Sequence, residues 1–239
     1  MRESASKTQI LIVYYSRFGV VKLLAEQIAA GANQVRDVEA ALLEVEDRPV
    51  DEVRRGESRN GMARRRAVVI NRLAAADALI VGAPSYFGSM ASPVKRLFED
   101  CATAELPPTT DRSRPWRHYL FRNKVGAAFT VSGTPHGGNE QTLHSILTMM
   151  MHLGMILVTP GQREPILEHE AAPYGATAIS GAEGDSFPTE SERAEARALG
   201  KQVAEVTIWV RRGRTEWERE REDRAWATAE HDISSDPSA

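Results

Sequence analysis

Gln9 to Tyr15 reads QILIVYY, an unbroken apolar run of the kind found in a strand covered on both faces. After the polar corner S-R-F-G the period changes. From Val20 to about Val35 the apolar positions Leu24, Ile28 and Val35 recur near one helical face. Val38–Val45 (VEAALLEV) and Ala78–Val81 (ALIV) read as the second and third strands, Val125–Val131 (VGAAFTV) as the fourth and Met155–Val158 as the fifth. Between them the pattern predicts a helix over 93–101 with Pro93 in its first turn, and another from an N-cap at Asn139 to Leu153, stopped by Gly154. The charged stretch 51–66, DEVRRGESRNGMARRR, reads as a surface insertion. Thr189-Glu190-Ser191-Glu192 is a capping box that opens the last helix.

Strands alternating with helices predict a parallel α/β sheet. Ligands of such sheets sit beyond the carboxyl ends of the strands. Three loops stand there: S-R-F-G-V-V at 16–21, G-A-P-S-Y-F-G-S-M at 82–90, and S-G-T-P-H-G-G-N-E at 132–140. All are built from small, hydroxyl-bearing or aromatic residues, and all should share one rim. The first leads into a helix N-terminus, where free amides and the dipole favour an anion. Ser16 can add a hydroxyl, and Gly19 lets the backbone curl. Neither G-x-x-x-x-G-K-[ST] nor G-x-G-x-x-G is present, so a single phosphate fits better than a longer chain of them. Taken alone, this corner is as consistent with a plain structural turn. Tyr86 and Phe87 with the glycines 133, 137 and 138 shift the balance toward a flat ring, and a phosphate plus a flat ring suits flavin mononucleotide (FMN).

Composition narrows the field. The chain has 239 residues, 42% of them hydrophobic, and a net charge of −3, which gives no global pull toward nucleic acid or an anionic membrane. Its one cysteine, Cys101, excludes an internal disulfide and Cys-rich zinc sites. No run is long and apolar enough to target or to span, so a cytoplasmic protein is expected, with no membrane insertion and no nucleic-acid partner. His144 and His152 lie eight apart, off metal spacing, and no metal site is expected. The arginines at 64–66 read as a solvated loop.

Five segments carry a family resemblance: YYSRFG at 14–19, GAPSYFGSMASPVKRLFED at 82–100, GGNEQT at 137–142, HLGM at 152–155 and PYGATAISG at 173–181. In these, and in their order, the chain resembles the WrbA-type NAD(P)H:quinone oxidoreductases. The resemblance implies a flavodoxin-like, doubly wound five-stranded parallel sheet of order 2-1-3-4-5 with helices on both faces. It further implies FMN as cofactor, NADH or NADPH as hydride donor, a quinone as substrate reduced by two electrons, and a homotetramer whose sites are walled partly by neighbouring chains. Carried over by position, Ser16, Arg17, Phe18, Gly19, Val20 and Val21 would hold the phosphate. Ser85, Tyr86 and Phe87 would line the ring on one side, and Val131, Ser132, Gly133, Thr134, Pro135, His136 and Gly137 on the other. His152 falls beside flavin and substrate, as the group that hydrogen-bonds or protonates the quinone oxygen, and Trp116 would roof the substrate.

The chain departs from the family pattern in three places. Val20 stands where the family usually has a polar residue, Tyr86 replaces an arginine, and the third loop carries one extra residue near Pro135-His136. The alternatives from other classes are a flavodoxin-type electron carrier with no substrate of its own and a flavin-free interaction protein on the same scaffold. The domain expected to bind flavin spans 1–212. Residues 213–239 form a charged extension, helical to about Glu230 (Glu220 and Arg224 are spaced for an i,i+4 pair) and disordered beyond.

Overall fold

A computed structural model describes residues 6–47, 56–103, 120–162 and 173–234, with side chains of the last helix described as far as Arg221. In chain order the elements are β1 (Thr8–Tyr14), α1 (Val20–Ala32), β2 (Val38–Glu44), α2 (Arg59–Ala75), β3 (Ala78–Tyr86), β4 (Ser89–Met90), α3 (Ser92–Thr103), β5 (Val125–Ser132), α4 (Asn139–His152), β6 (Ile156–Leu157), β7 (Ala176–Ile179) and α5 (Glu190–Ser234). The sheet runs β2-β1-β3-β5-β6, and all of these neighbours are parallel. The short β4 turns back antiparallel on the end of β3, pairing Ser85 with Met90.

The expected order is present, with one physical difference at its edge. The fifth position is shared by two pieces. β6 pairs with the start of β5, Val125 and Gly126, whereas β7 pairs with its end, Phe129 to Ser132. Met155–Val158 is therefore only the amino half of that strand. The other half lies eighteen or more residues further on, in a four-residue run too short to stand out by periodicity.

Burial explains the strands. Every residue of β5 is buried, as the unbroken run VGAAFTVS demands of a strand covered on both faces. One core packs Leu11, Val13, Leu79 and Val81 against α2, α3 and α4 through Leu73, Val94, Phe98 and Ile146. The other packs Ile10, Ile12, Ile80 and Phe129 against α1 and α5 through Leu24, Ile28, Leu199 and Val203. The second half of the stretch 51–66, read above as a surface insertion, is corrected here. Ser58 caps a helix that begins at Arg59, its hydroxyl accepting the Gly61 amide at 3.1 Å. Ile70 and Leu73 anchor that helix to the sheet. The arginines at 64–66 hid it by their charge, although Arg65 and Arg66 are half-buried, Arg65 paired with Glu57 and Arg66 donating to the Asp100 carbonyl.

The α4 cap also differs. Gly138, at φ 85°, is the N-cap, and Asn139 is the first helical residue. The capping box at 189–192 is formed as expected. The Glu192 amide donates to Thr189 Oγ1 at 3.2 Å, and the Thr189 amide to Glu192 Oε2 at 2.6 Å. From there α5 runs unbroken past residue 212, and from Arg212 to Arg221 every side chain is exposed.

Cys101 is buried in the α3 side of the core, and burial is the first cause that pushes its thiol up to about 12, with neighbouring Asp100 second. Thiolate, not thiol, is the nucleophile. Native protein at pH 8 should therefore leave a chromogenic disulfide reagent unreacted for hours, and one thiol per chain should titrate at once on adding denaturant. Rapid native labelling would show that α3 opens locally.

Candidate functional site

The strand-end loops do converge. A cavity of about 190 Å³ opens at the carboxyl rim of the sheet. Ser16, Arg17, Phe18, Val20 and Val21 line it from the first loop, Ser85 and Tyr86 from the second, and Val131 and Gly133 from the third. The structure adds Pro84 and a fourth loop that follows β7, contributing Ser180, Gly181, Ala182 and Gly184. That loop went unassigned because its strand was not recognised. Its sequence signal is nonetheless the same as the others': small and hydroxyl residues (S-G-A-E-G) directly after an apolar run.

The S-R-F-G corner carries unpaired donors. Gly19 caps α1 at φ 89°, a left-handed conformation that favours glycine, and offers no side-chain cap. Beyond it the amides of Val20 and Val21 have no acceptor among the described residues. The next amide, Lys22, donates to Ser16 Oγ at 3.3 Å, which leaves the Ser16 proton free to donate outward. No acid stands in the first turn of α1. Free amides, a free hydroxyl and the positive end of a helix dipole make an anion cradle. The apolar side chains of Val20 and Val21 are buried in the core below and hold that turn in place.

Hydroxyls elsewhere on the rim bind the loops to one another. Ser85 Oγ donates to the Gly137 carbonyl at 2.7 Å and accepts from Thr142 Oγ1 at 2.8 Å, joining the second loop to the third. Ser132 Oγ donates to the Thr134 carbonyl at 2.7 Å. The Ser180 amide donates to the Ser132 carbonyl at 2.8 Å, which adds the fourth loop. A Cβ on Gly138 would come within 3.0 Å of Gly88, so the N-terminus of α4 sits directly on the second loop. The rim is thus pre-organised by its own hydrogen bonds.

The remaining expected residues are placed as follows. Gly19 forms the corner. Thr134, Pro135 and His136 are exposed on the third loop beside Gly137. Phe87 is wholly exposed and sits at φ 53°, an uncommon conformation for an aromatic residue. The Tyr86 ring lines the cavity, but its hydroxyl is buried with no hydrogen-bond partner among the described residues, so the phenol tip points into the protein. Tyr15, close by, is buried and hydrogen-bonded to Asp47; burial first, and Asp47 second, raise its pKa. Trp116 lies outside the described residues.

His152 does not join this cavity within its own chain. It is exposed at the last turn of α4, whose first turn rests on the rim. Fourteen helical residues span about 20 Å. The turn after His152 is tied to the opposite end of the sheet, where the Asn123 amide donates to the Gly154 carbonyl just before β5 begins.

A flavodoxin-like sheet with unpaired amides at the helix that follows its first strand is the architecture of a mononucleotide-binding α/β protein. The family model for NADPH-dependent FMN reductase matches residues 10–163. An NAD(P)H dehydrogenase (quinone) of Geobacter metallireducens is 34% identical over 207 residues, covering 83% of this chain and 97% of that one. An enzyme of the same name from Syntrophus aciditrophicus is 34% identical over 205 residues, covering 82% and 96%. Among solved structures, a flavodoxin, WrbA-like protein of Agrobacterium tumefaciens has a TM-score of 0.57 at 24% identity, covering 85% of this chain and 99% of that one. RosB with a bound 8-demethyl-8-formylriboflavin-5'-phosphate intermediate has a TM-score of 0.62 at 15% identity, covering 97% of this chain and 89% of that one. The chain belongs to the NADPH-dependent FMN reductase family.

Proposed function

We propose that the chain is an FMN-dependent NAD(P)H:quinone oxidoreductase. The observation that carries this reading is the pair of unpaired amides at Val20 and Val21 above left-handed Gly19, on a rim that four loops share. That donor set fits one phosphate. A cavity of about 190 Å³ is smaller than the roughly 300–1,000 Å³ of sites that enclose a drug-sized ligand. The cavity therefore takes part of a mononucleotide, and the remainder lies over the open rim. When bound, FMN would supply the two-electron chemistry between nicotinamide and quinone. The protein's part is to hold the phosphate, fix the ring's orientation through loops locked at Ser85, Ser132 and Ser180, and leave one face open. Donor and acceptor using one open face must alternate, which is a ping-pong scheme.

The assembly belongs to the same proposal. His152 stands about 20 Å of helix away from its own cradle, so a homotetramer in which it reaches the flavin of a neighbouring chain gives it the role the family resemblance implies. Residues 1–212 would be the flavin-binding unit and 213–239 the extension, in a cytoplasmic protein; among the described residues no helix is long and apolar enough to cross a membrane.

Titration with FMN should quench flavin fluorescence at one equivalent per chain. Steady-state kinetics with NADPH or NADH and benzoquinone should then give parallel double-reciprocal lines. Converging lines would refute the shared face. Binding of FMN without reduction by either nicotinamide would make the chain an electron carrier, and absence of quenching would remove the flavin reading.

A further inference from the structure

We infer that Arg17 is the side chain that reads the charge of the flavin's phosphate, so that the chain selects FMN over riboflavin. The inference rests on the flavin reading above and concerns how this chain makes that site selective.

Arg17 is the sole charged residue among those lining the cavity. The cradle otherwise offers only dipoles: the Val20 and Val21 amides, the Ser16 hydroxyl and the end of α1. A phosphate monoester carries a charge of about −1.5 to −2 at pH 7. Amides at a helix end satisfy its oxygens but carry no full charge to set against it. Arg17 is exposed, and no ion pair or hydrogen bond to its guanidinium is found among the described residues. Other arginines among the described residues face a carboxylate: Arg193 and Arg197 pair with Glu190, Arg214 with Glu218, Arg219 with Glu216. Arg17 is instead held over an aromatic face, its guanidinium carbon 5.5 Å from the centre of the Phe18 ring.

That ring is more than half exposed, with one side against the fourth loop. Phe18 packs so closely under the fourth loop that a Cβ on Gly184 would come 2.8 Å from it. Phe18 is thus a ledge that keeps the cation at the mouth of the cradle, within the same four-residue corner, without supplying a carboxylate that would compete with the ligand. Arg17 touches the ligand in this scheme, and Phe18 is a positioning residue. Because Arg17 is exposed, its contribution is open to screening by salt.

Fluorescence titrations of the intact protein with FMN and with riboflavin test this. Arg17→Ala should weaken FMN roughly ten- to a hundredfold, the range of a charge-assisted hydrogen bond, and leave riboflavin within about twofold. Arg17→Lys should keep more of the FMN affinity than Arg17→Ala does, and Phe18→Ala should lose part of the discrimination. Raising salt from 50 to 500 mM should weaken FMN in the wild type and much less in Arg17→Ala. Equal FMN affinity in wild type and Arg17→Ala, equal loss of both ligands, or Arg17→Lys behaving as Arg17→Ala would each overturn the inference while the flavin reading stands. No FMN quenching by the wild type would overturn both.

Discussion

His152→Ala should lower quinone turnover by about a hundredfold or more, the contribution of a well-placed general acid, while FMN stays bound and the assembly stays intact. An imidazole can both donate a hydrogen bond and hand over a proton. The location of His152 makes the prediction unusual, because it is exposed at the far end of α4 from the cradle of its own chain. Its effect on turnover therefore requires that one copy's His152 serve another copy's cradle. A mixing experiment separates this from an indirect effect on folding. Gly133 lines the cavity, and a Cβ there would meet only the Gly181 backbone, at 3.3 Å, so Gly133→Glu places a carboxylate at the flavin site at little structural cost. Each variant alone should be nearly inactive. Oligomers reassembled from both should recover turnover above the mean of the two parents, because some sites then pair an intact cradle with an intact His152. Recovery no greater than that mean, or undiminished turnover in His152→Ala, would refute the arrangement.

The legibility of this molecule in its sequence follows burial. Strands covered on both faces, QILIVYY and VGAAFTV, announce themselves because all but one position in each is apolar. Once they are placed, the parallel topology follows and brings the loops at 16, 85 and 133 to one rim. What escaped detection is where burial is one-sided or the element is short. Only the inner face of α2 is buried, and its arginines give it the composition of a loop. With four residues, β7 owes its place to pairing with the end of β5, a long-range contact that no local pattern reports. The fourth loop was missed for that reason. His152 shows another limit: the motif HLGM identifies the residue, but the direction of α4 decides which end of the sheet it occupies.

Gly200→Ala should cost about 3 kcal/mol of stability, the upper part of the range for overpacking, and lower the melting temperature by roughly 6–12 °C for a chain of this size. On propensity alone the change favours the folded state, because alanine is the better helix former by about 1 kcal/mol. Packing reverses the sign. Where α5 crosses α1, a Cβ on Gly200 would lie 2.0 Å from the Ile28 carbonyl oxygen, and one on Gly31 would lie 1.9 Å from the Arg197 carbonyl oxygen. Both obstacles are backbone, so no rotamer change relieves them, and the helices would have to separate. Ile28, Leu24, Leu199 and Val203 in that interface are all fully buried, so separation also opens the core on the face that supports the phosphate cradle. Gly213 is the internal control. It lies in the same helix beyond the body, with nothing within 4 Å of its would-be Cβ. Gly213→Ala should therefore leave stability unchanged or raise it by up to about 1 kcal/mol. Thermal melts of the two variants with and without FMN read both effects. If Gly200→Ala melts with the wild type, α1 and α5 are not packed backbone to backbone, and the rigidity assigned here to the turn at Val20 and Val21 has another source.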